Sequence, residues 1–183
     1  MAEGDLNGAD QAFDEAARLY LPGFFPDVRP IAAAQARVWI AQGRLEKARG
    51  WAEQQRANGM TNADSYLDEF NQLTRARLLI AEHRSASDAG SGFVDQALAL
   101  LNQLIEPVRA ARSNSLVEAR IVRALAHWAS GNVDGALVDI RTAITEGVPA
   151  GYRRLFLGEG APMTELLRAL IADRSAWEEV TYE

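Results

Sequence analysis

The chain has 183 residues, a formal net charge of −6 and no cysteine. An acidic chain without a basic run is poorly suited to holding a phosphate backbone, so direct nucleic-acid contact by this segment is not expected. The lack of cysteine excludes disulfides and thiolate metal sites. The one lysine, Lys47, stands between Glu46 and Ala48, so the Gly-Lys-Ser/Thr motif of P-loop proteins is also excluded.

Neither end nor middle of the chain carries a targeting or membrane segment. The first residues lack the basic and apolar stretches of a secretory signal, and no apolar run approaches the ~18 residues that a membrane span requires. We therefore expect a cytoplasmic protein that does not contact membranes.

A five-residue step from glycine to alanine recurs along the chain. The complete copies run from Gly4 to Ala9, from Gly43 to Ala48 and from Gly131 to Ala136. We interpret a further copy as ending at Ala97, with His83 in the place of the glycine and a Gly/Ser-rich insert between them. The alanines are 39, 49 and 39 residues apart, and a period of about 40 in helical segments is typical of a solenoid of helix hairpins.

This period predicts an all-α fold, a solenoid of antiparallel helix hairpins. The glycine-to-alanine step and the small residues at the helix crossings resemble those of tetratricopeptide (TPR) repeats, and this resemblance implies a TPR-like right-handed superhelix. A single domain is expected over residues 1–183. Its four repeats are placed at about 1–21, 30–58, 66–112 and 115–146, followed by terminal helices over 150–174.

The first repeat resembles only the second helix of a hairpin. A stack that opens on half a repeat predicts that these residues are a fragment of a larger protein. The alternative is that residues 1–20 form a capping helix of their own.

The second repeat has the clearest pattern. Gly43 is expected to end its first helix in the left-handed conformation, and Ala48 is expected to be small because the two helices cross there. One buried stripe at three- and four-residue spacing is predicted on the second helix. Its members are Leu45, Ala48, Trp51, Ala52 and Gln55.

Two helix starts are predicted from capping residues. Ser115 and Glu118 have the spacing of a capping box and predict the start of the fourth repeat. Thr164 is the predicted cap of the last helix.

Longer stretches resemble one family of regulators. The segments are FFPDVRPIAAAQARVWIAQGRLEKARGWAEQQ (24–55), YLDEFNQLTRARLLIAEH (66–83), SLVEARIVRALAHWASGNVDGAL (115–137) and YRRLFLGEGAPMTELLRAL (152–170). They are similar, in this order, to the repeat region of MalT-like transcription activators, the large ATP-binding LuxR regulators. In that family an ATPase module precedes the repeats and a LuxR-type helix-turn-helix follows them.

The resemblance implies a non-catalytic sensor segment, in which a small-molecule inducer or a protein partner binds the concave groove of the stack. No cofactor is expected here, since ATP would bind a separate N-terminal module of the parent protein. The alternative is a freestanding TPR-like scaffold that binds a peptide or protein in its groove. A stack cut open at one end can also dimerise through that end, so a homodimer is compatible with the sequence, although self-association in vitro would not establish a physiological dimer.

Arg37 and Arg77 are the first candidate binding residues. They lie 40 residues apart, at equivalent places in the second and third repeats, and two neighbouring guanidinium groups can clamp a carboxylate or a phosphate. The alternative is that each pairs with a nearby acid such as Glu69 or Glu118, and Glu118 is itself a candidate surface residue. The fourth repeat has Leu125 at this place, which interrupts the ladder.

The aromatic candidates for an apolar or sugar-stacking pocket are Trp39, Tyr66, Phe70 and Trp128. The alternative is that they belong to the core, as aromatics at helical spacing usually do. The two histidines, His83 and His127, lack the partners that a metal site needs. Because no acid, base and nucleophile set is present, an enzyme is not expected.

Overall fold

The computed structural model describes residues 4–21, 30–57, 66–86, 92–108 and 113–173. All regular structure in these ranges is helical. The first four helices are α1 (Leu6–Leu19), α2 (Ile31–Ala41), α3 (Leu45–Ala57) and α4 (Tyr66–Ser85). The others are α5 (Phe93–Val108), α6 (Ser113–Ala129), α7 (Val133–Gly147), α8 (Arg153–Leu157) and α9 (Ala161–Ala172). The predicted all-α, TPR-like fold class is confirmed.

The chain divides into two compact units, residues 1–100 and residues 101–183. In the N-terminal unit α2 packs against α1, α3 and α4, and α3 also packs against α4. In the C-terminal unit α6 packs against α7, α8 and α9, and α7 packs against α9. Within each unit a helix therefore contacts its sequence neighbours first, as a repeat stack requires.

Glycines with a left-handed backbone precede the second helix of every repeat. Gly4, Gly43 and Gly131 have φ of 77°, 72° and 78°. The assignment of His83 to the remaining copy is wrong, because His83 lies inside α4 and Gly92, with φ of 65°, stands five residues before Ala97. Only glycine adopts this conformation without steric cost, so the step is present in all four repeats.

The alanine at the end of each step marks a helix crossing. Ala48, Ala97 and Ala136 are each 0% exposed, and so are the alanines at one equivalent place on the first helices, Ala36, Ala76 and Ala124. Ala9 is only half-buried, and α1 has no buried residue. The small side chains let the paired helices approach closely, as predicted for Ala48.

Both helix starts predicted from capping residues are wrong. The fourth repeat begins at Ser113, so Ser115 lies within α6, where it is 4% exposed. The last helix begins at Ala161 after Gly160, with proline in its first turn, and Thr164 Oγ1 instead donates to the Gly160 carbonyl at 3.4 Å. Proline's fixed φ favours the first turn of a helix, the position that it occupies here.

One cluster in the core of the N-terminal unit consists of Ala33, Ala36, Trp51 and Phe70, and it brings α2, α3 and α4 together. Trp51 and Ala48 are the fully buried members of the predicted stripe on α3, and the other three are half-buried. In the part of the chain that the structure describes, no helix is both long enough and apolar enough to cross a bilayer.

Candidate ligand and partner surface

Arg37 joins α2 to α4. Its guanidinium carbon lies 3.7 Å from the centre of the Phe70 ring. Its Nε donates to Thr74 Oγ1 at 2.8 Å and its Nη2 to the Phe70 carbonyl at 3.4 Å. Thr74 is 0% exposed, so this guanidinium is held against the packed interior of the N-terminal unit. The structure thus brings two predicted site residues together and uses their contact in helix packing.

Arg77 lies on the same helix as Phe70 and Thr74. Its Nη1 donates to the Leu73 carbonyl one turn earlier, at 3.3 Å. Glu69 is buried on α4, and Glu118 is half-buried on α6 in the C-terminal unit. Arg77 and both acids take part in further polar contacts, so none of the three is free. Ligand binding by these residues stays a prediction.

The aromatic candidates have different surroundings. Phe70 is buried in the core cluster, and Trp39 packs against that cluster while remaining half-buried. Trp128 is half-buried on α6. Tyr66 is the first residue of α4, and its side chain lies outside the described residues. Trp39 and Trp128 therefore present more ring surface than Phe70 does.

A polar junction around Asp10 ties α1 to the second repeat, and sequence reasoning missed it. The Asp10 carboxylate accepts hydrogen bonds from Gln35 Nε2 at 2.9 Å, from Trp39 Nε1 at 2.8 Å and from Arg44 Nη1. The Gln35 hydrogen bond is the largest cause of a lowered Asp10 pKa; Arg44 and Trp39 add to it and partial burial opposes it. The partners are 25 to 34 residues away in sequence, and only the helix pairing shows that they meet.

One polar contact recurs between successive repeats. Gln35 Nε2 donates to Asp14 Oδ1 at 2.7 Å, and Arg123 Nη1 donates to Asn102 Oδ1 at 2.9 Å. Gln35 and Arg123 occupy the same place before the glycine of their repeats, and Asp14 and Asn102 each lie five residues after the repeat alanine. The contact therefore joins the first helix of one repeat to the second helix of the preceding repeat at a constant register.

A charged cluster lies between α6 and α7. Arg123 Nε and Nη2 donate to the two carboxylate oxygens of Asp139 at 2.7 and 2.6 Å. His127 Nε2 lies 4.0 Å from Asp139 Oδ2, and Asn132 Nδ2 lies 3.2 Å from His127 Nδ1. Burial lowers the His127 pKa, with the Arg123 charge acting in the same direction and Asp139 opposing both. The bidentate pair gives this hairpin a specific polar contact.

Metal chemistry finds no support in this arrangement. Across the described ranges, no group of three or more His, Cys, Asp or Glu side chains is placed to hold a metal ion. Asp139, the acid nearest to His127, is already bound by Arg123.

Comparison with known proteins adds one finding. The family model of the MalT-like TPR region matches residues 1–173. The match covers all four repeats together with α8 and α9. No curated protein and no solved structure matches the chain.

Proposed function

The chain belongs to the MalT-like TPR family, and from that membership we propose that it is the sensing domain of a bacterial LuxR/MalT-type transcriptional regulator. The domain itself performs no catalysis. It binds a small-molecule inducer or a protein partner, and binding biases the regulator between resting and active states. The family match over residues 1–173 carries the proposal.

The packing of the described helices supports a binding role. The second and fourth repeats are each tied to the preceding repeat by polar side chains, as Gln35 is to Asp14 and Arg123 is to Asn102. Contacts of this kind make the position of one repeat depend on its neighbour. A ligand that binds one arrangement of the repeats more tightly than another shifts the population toward that arrangement.

The rest of the regulator supplies the other activities under this proposal. ATP binds a separate module that precedes the repeats, and a helix-turn-helix that follows them contacts DNA. Because transcription takes place in the cytoplasm of a bacterium, the proposal places the chain there.

Two linked measurements test the proposal. The first is a thermal-unfolding screen of the 183-residue chain against small metabolites and peptides, in which a ligand at about 100 times its Kd adds about 2.7 kcal/mol of stability. The second applies each stabilising compound to the full regulator in an ATP-dependent transcription assay. We expect the same compound to stabilise the chain and to activate transcription.

Three outcomes bear against the proposal. A parent reading frame without a P-loop ATPase or a helix-turn-helix contradicts it directly. A ligand that stabilises the chain and leaves transcription unchanged removes the sensing role. A single stoichiometric protein partner in a pull-down, with no small molecule stabilising the chain, favours a freestanding scaffold instead.

The variant Arg77→Ala in the thermal-unfolding screen reports whether the Arg77 side chain touches the ligand.

A further inference from the structure

Arg75 occupies the inter-repeat position of the third repeat. It lies 40 residues after Gln35, which hydrogen-bonds to Asp14 on the preceding second helix. The corresponding acceptor on α3 would be Glu53, five residues after Ala48. Within the described ranges, however, neither a hydrogen bond nor an ion pair joins the Arg75 side chain to Glu53 or to any other residue.

The packing of α3 against α4 places a second cation beside Arg75. Arg49 Nη2 and Glu82 Oε1 lie 2.8 Å apart and mark where α3 contacts α4. Successive helices of a hairpin stack run antiparallel, so this ion pair sets their register. Seven residues are about two helical turns and return to the same face. Counting seven residues forward from Arg49 and seven back from Glu82 pairs Arg56 with Arg75.

The electrostatics of Arg75 agree with this register. Burial lowers the pKa of Arg75, and the positive charge of Arg56 lowers it further. Arg75 is half-buried and Arg56 is exposed. A partly desolvated guanidinium beside a like charge is unfavourable unless an anion neutralises the pair.

Two amide side chains next to the arginines also have unsatisfied polar atoms. Gln55 precedes Arg56, and Asn71 lies one turn before Arg75 on α4. Gln55 Oε1 and Asn71 Oδ1 are both buried without a hydrogen-bond partner among the described residues. Asn71 and Arg75 are four residues apart and share a helix face. A half-turn of the Asn71 amide presents an N–H donor in the same place, so this face of α4 can supply a donor besides the guanidinium group.

We propose that Arg56 and Arg75 form a binding site for a small oxyanion, a carboxylate or a phosphate group, in the seam between α3 and α4. The anion completes the inter-repeat contact that Asp14 provides for Gln35 and Asn102 provides for Arg123. Guanidinium groups suit this role because they offer several N–H donors in a plane that matches oxyanions. The site does not depend on the proposed sensing function, since it arises from the register of the two helices.

The test compares anions at constant ionic strength. Melting temperatures of the 183-residue chain are measured in chloride, inorganic phosphate and succinate, for the native sequence and for Arg75→Gln, Arg56→Gln and Arg84→Gln. Arg84 is the matched control, because it is an exposed arginine on the same helix. Titrating phosphate while following the arginine Nε–H signals by NMR gives the affinity.

We expect phosphate, succinate or both to raise the melting temperature of the native chain more than that of Arg75→Gln. Phosphate stabilises most proteins by exclusion from their surface, so the difference between the two chains is the informative quantity. Arg75→Gln and Arg56→Gln should each weaken binding at least ten-fold, and Arg84→Gln should leave it unchanged. The anion with the larger effect identifies the ligand group.

Equal anion effects in the native chain and in Arg75→Gln overturn the proposal, and so does an equal loss in Arg84→Gln. If Arg75→Gln fails to fold, Arg56→Gln decides, because its side chain is exposed. Unchanged phosphate and succinate affinity in Arg56→Gln then rejects the site.

Discussion

At the scale of single residues, two glycines of the second repeat differ in their backbone conformation. Gly43 precedes α3 with φ of 72°, whereas Gly50 lies inside α3. A Cβ built on either one meets no atom within 4 Å. Steric contact with neighbours is therefore the same at the two positions, and only the backbone conformation differs.

Gly43→Ala and Gly50→Ala should accordingly change stability in opposite directions. Gly43→Ala places an L side chain in the left-handed region and should lower the free energy of unfolding by roughly 1–2 kcal/mol. Gly50→Ala should raise it by roughly 0.5–1 kcal/mol, because alanine loses less backbone entropy in a helix. Urea unfolding followed by circular dichroism measures both, and a change of the same sign in both variants contradicts the interpretation.

His127 makes the stability of the folded chain depend on pH. Its pKa is lowered in the folded protein, chiefly by burial, so the unfolded chain binds more protons below the ordinary value of about 6.5. The contribution of His127 to the free energy of unfolding is therefore fully present above that pH and is lost as the pH falls below it.

Urea unfolding between about pH 5.5 and 8 tests this linkage. The native chain should lose stability toward the acid end, and His127→Gln should lose less over the same range. A native slope that survives in His127→Gln would assign the effect to another group.

At the scale of helices, the crossing of α2 and α3 depends on the size of one side chain. Ala48 is 0% exposed and lies one turn before the buried Trp51. Each second helix repeats this arrangement, since Ala97 and Ala136 are buried to the same extent. Interiors packed this closely have no room for added methylene groups.

Ala48→Leu should therefore destabilise the chain by roughly 1–3 kcal/mol, because the larger side chain forces the two helices apart. Ala41→Leu, at the exposed last residue of α2, is the matched control and should change stability by less than about 0.5 kcal/mol. Thermal unfolding of the two variants measures the difference. Equal effects would mean that the crossing tolerates a larger residue.

At the scale of the whole molecule, the repeats stack through two kinds of contact. Apolar contacts at small residues set the distance between helices, and polar side chains such as Gln35 and Arg123 set the register between repeats. In the third repeat the residue at the register position is Arg75, whose neighbour is another arginine. The proposed anion site therefore lies where the third repeat lacks the inter-repeat hydrogen bond that the second and fourth repeats have.

The sequence by itself determined the helical class, the period and the crossing alanines, because glycine-to-alanine spacing and apolar periodicity are local properties of the chain. It also carried the family resemblance, which the match over residues 1–173 confirmed. The place of His83 was not predictable from the spacing along the first helix, because the left-handed glycine belongs to the start of the second helix, and Gly92 lies five residues before Ala97.

Only the tertiary structure decided how the polar side chains are used. Arg37 was predicted to face a ligand, and its contacts with Phe70 and Thr74 depend on how α2 lies against α4. The Asp10 junction and the Arg56–Arg75 pair likewise join residues on different helices. Side-chain pairing across helices depends on their register and distance, which no single segment of sequence contains.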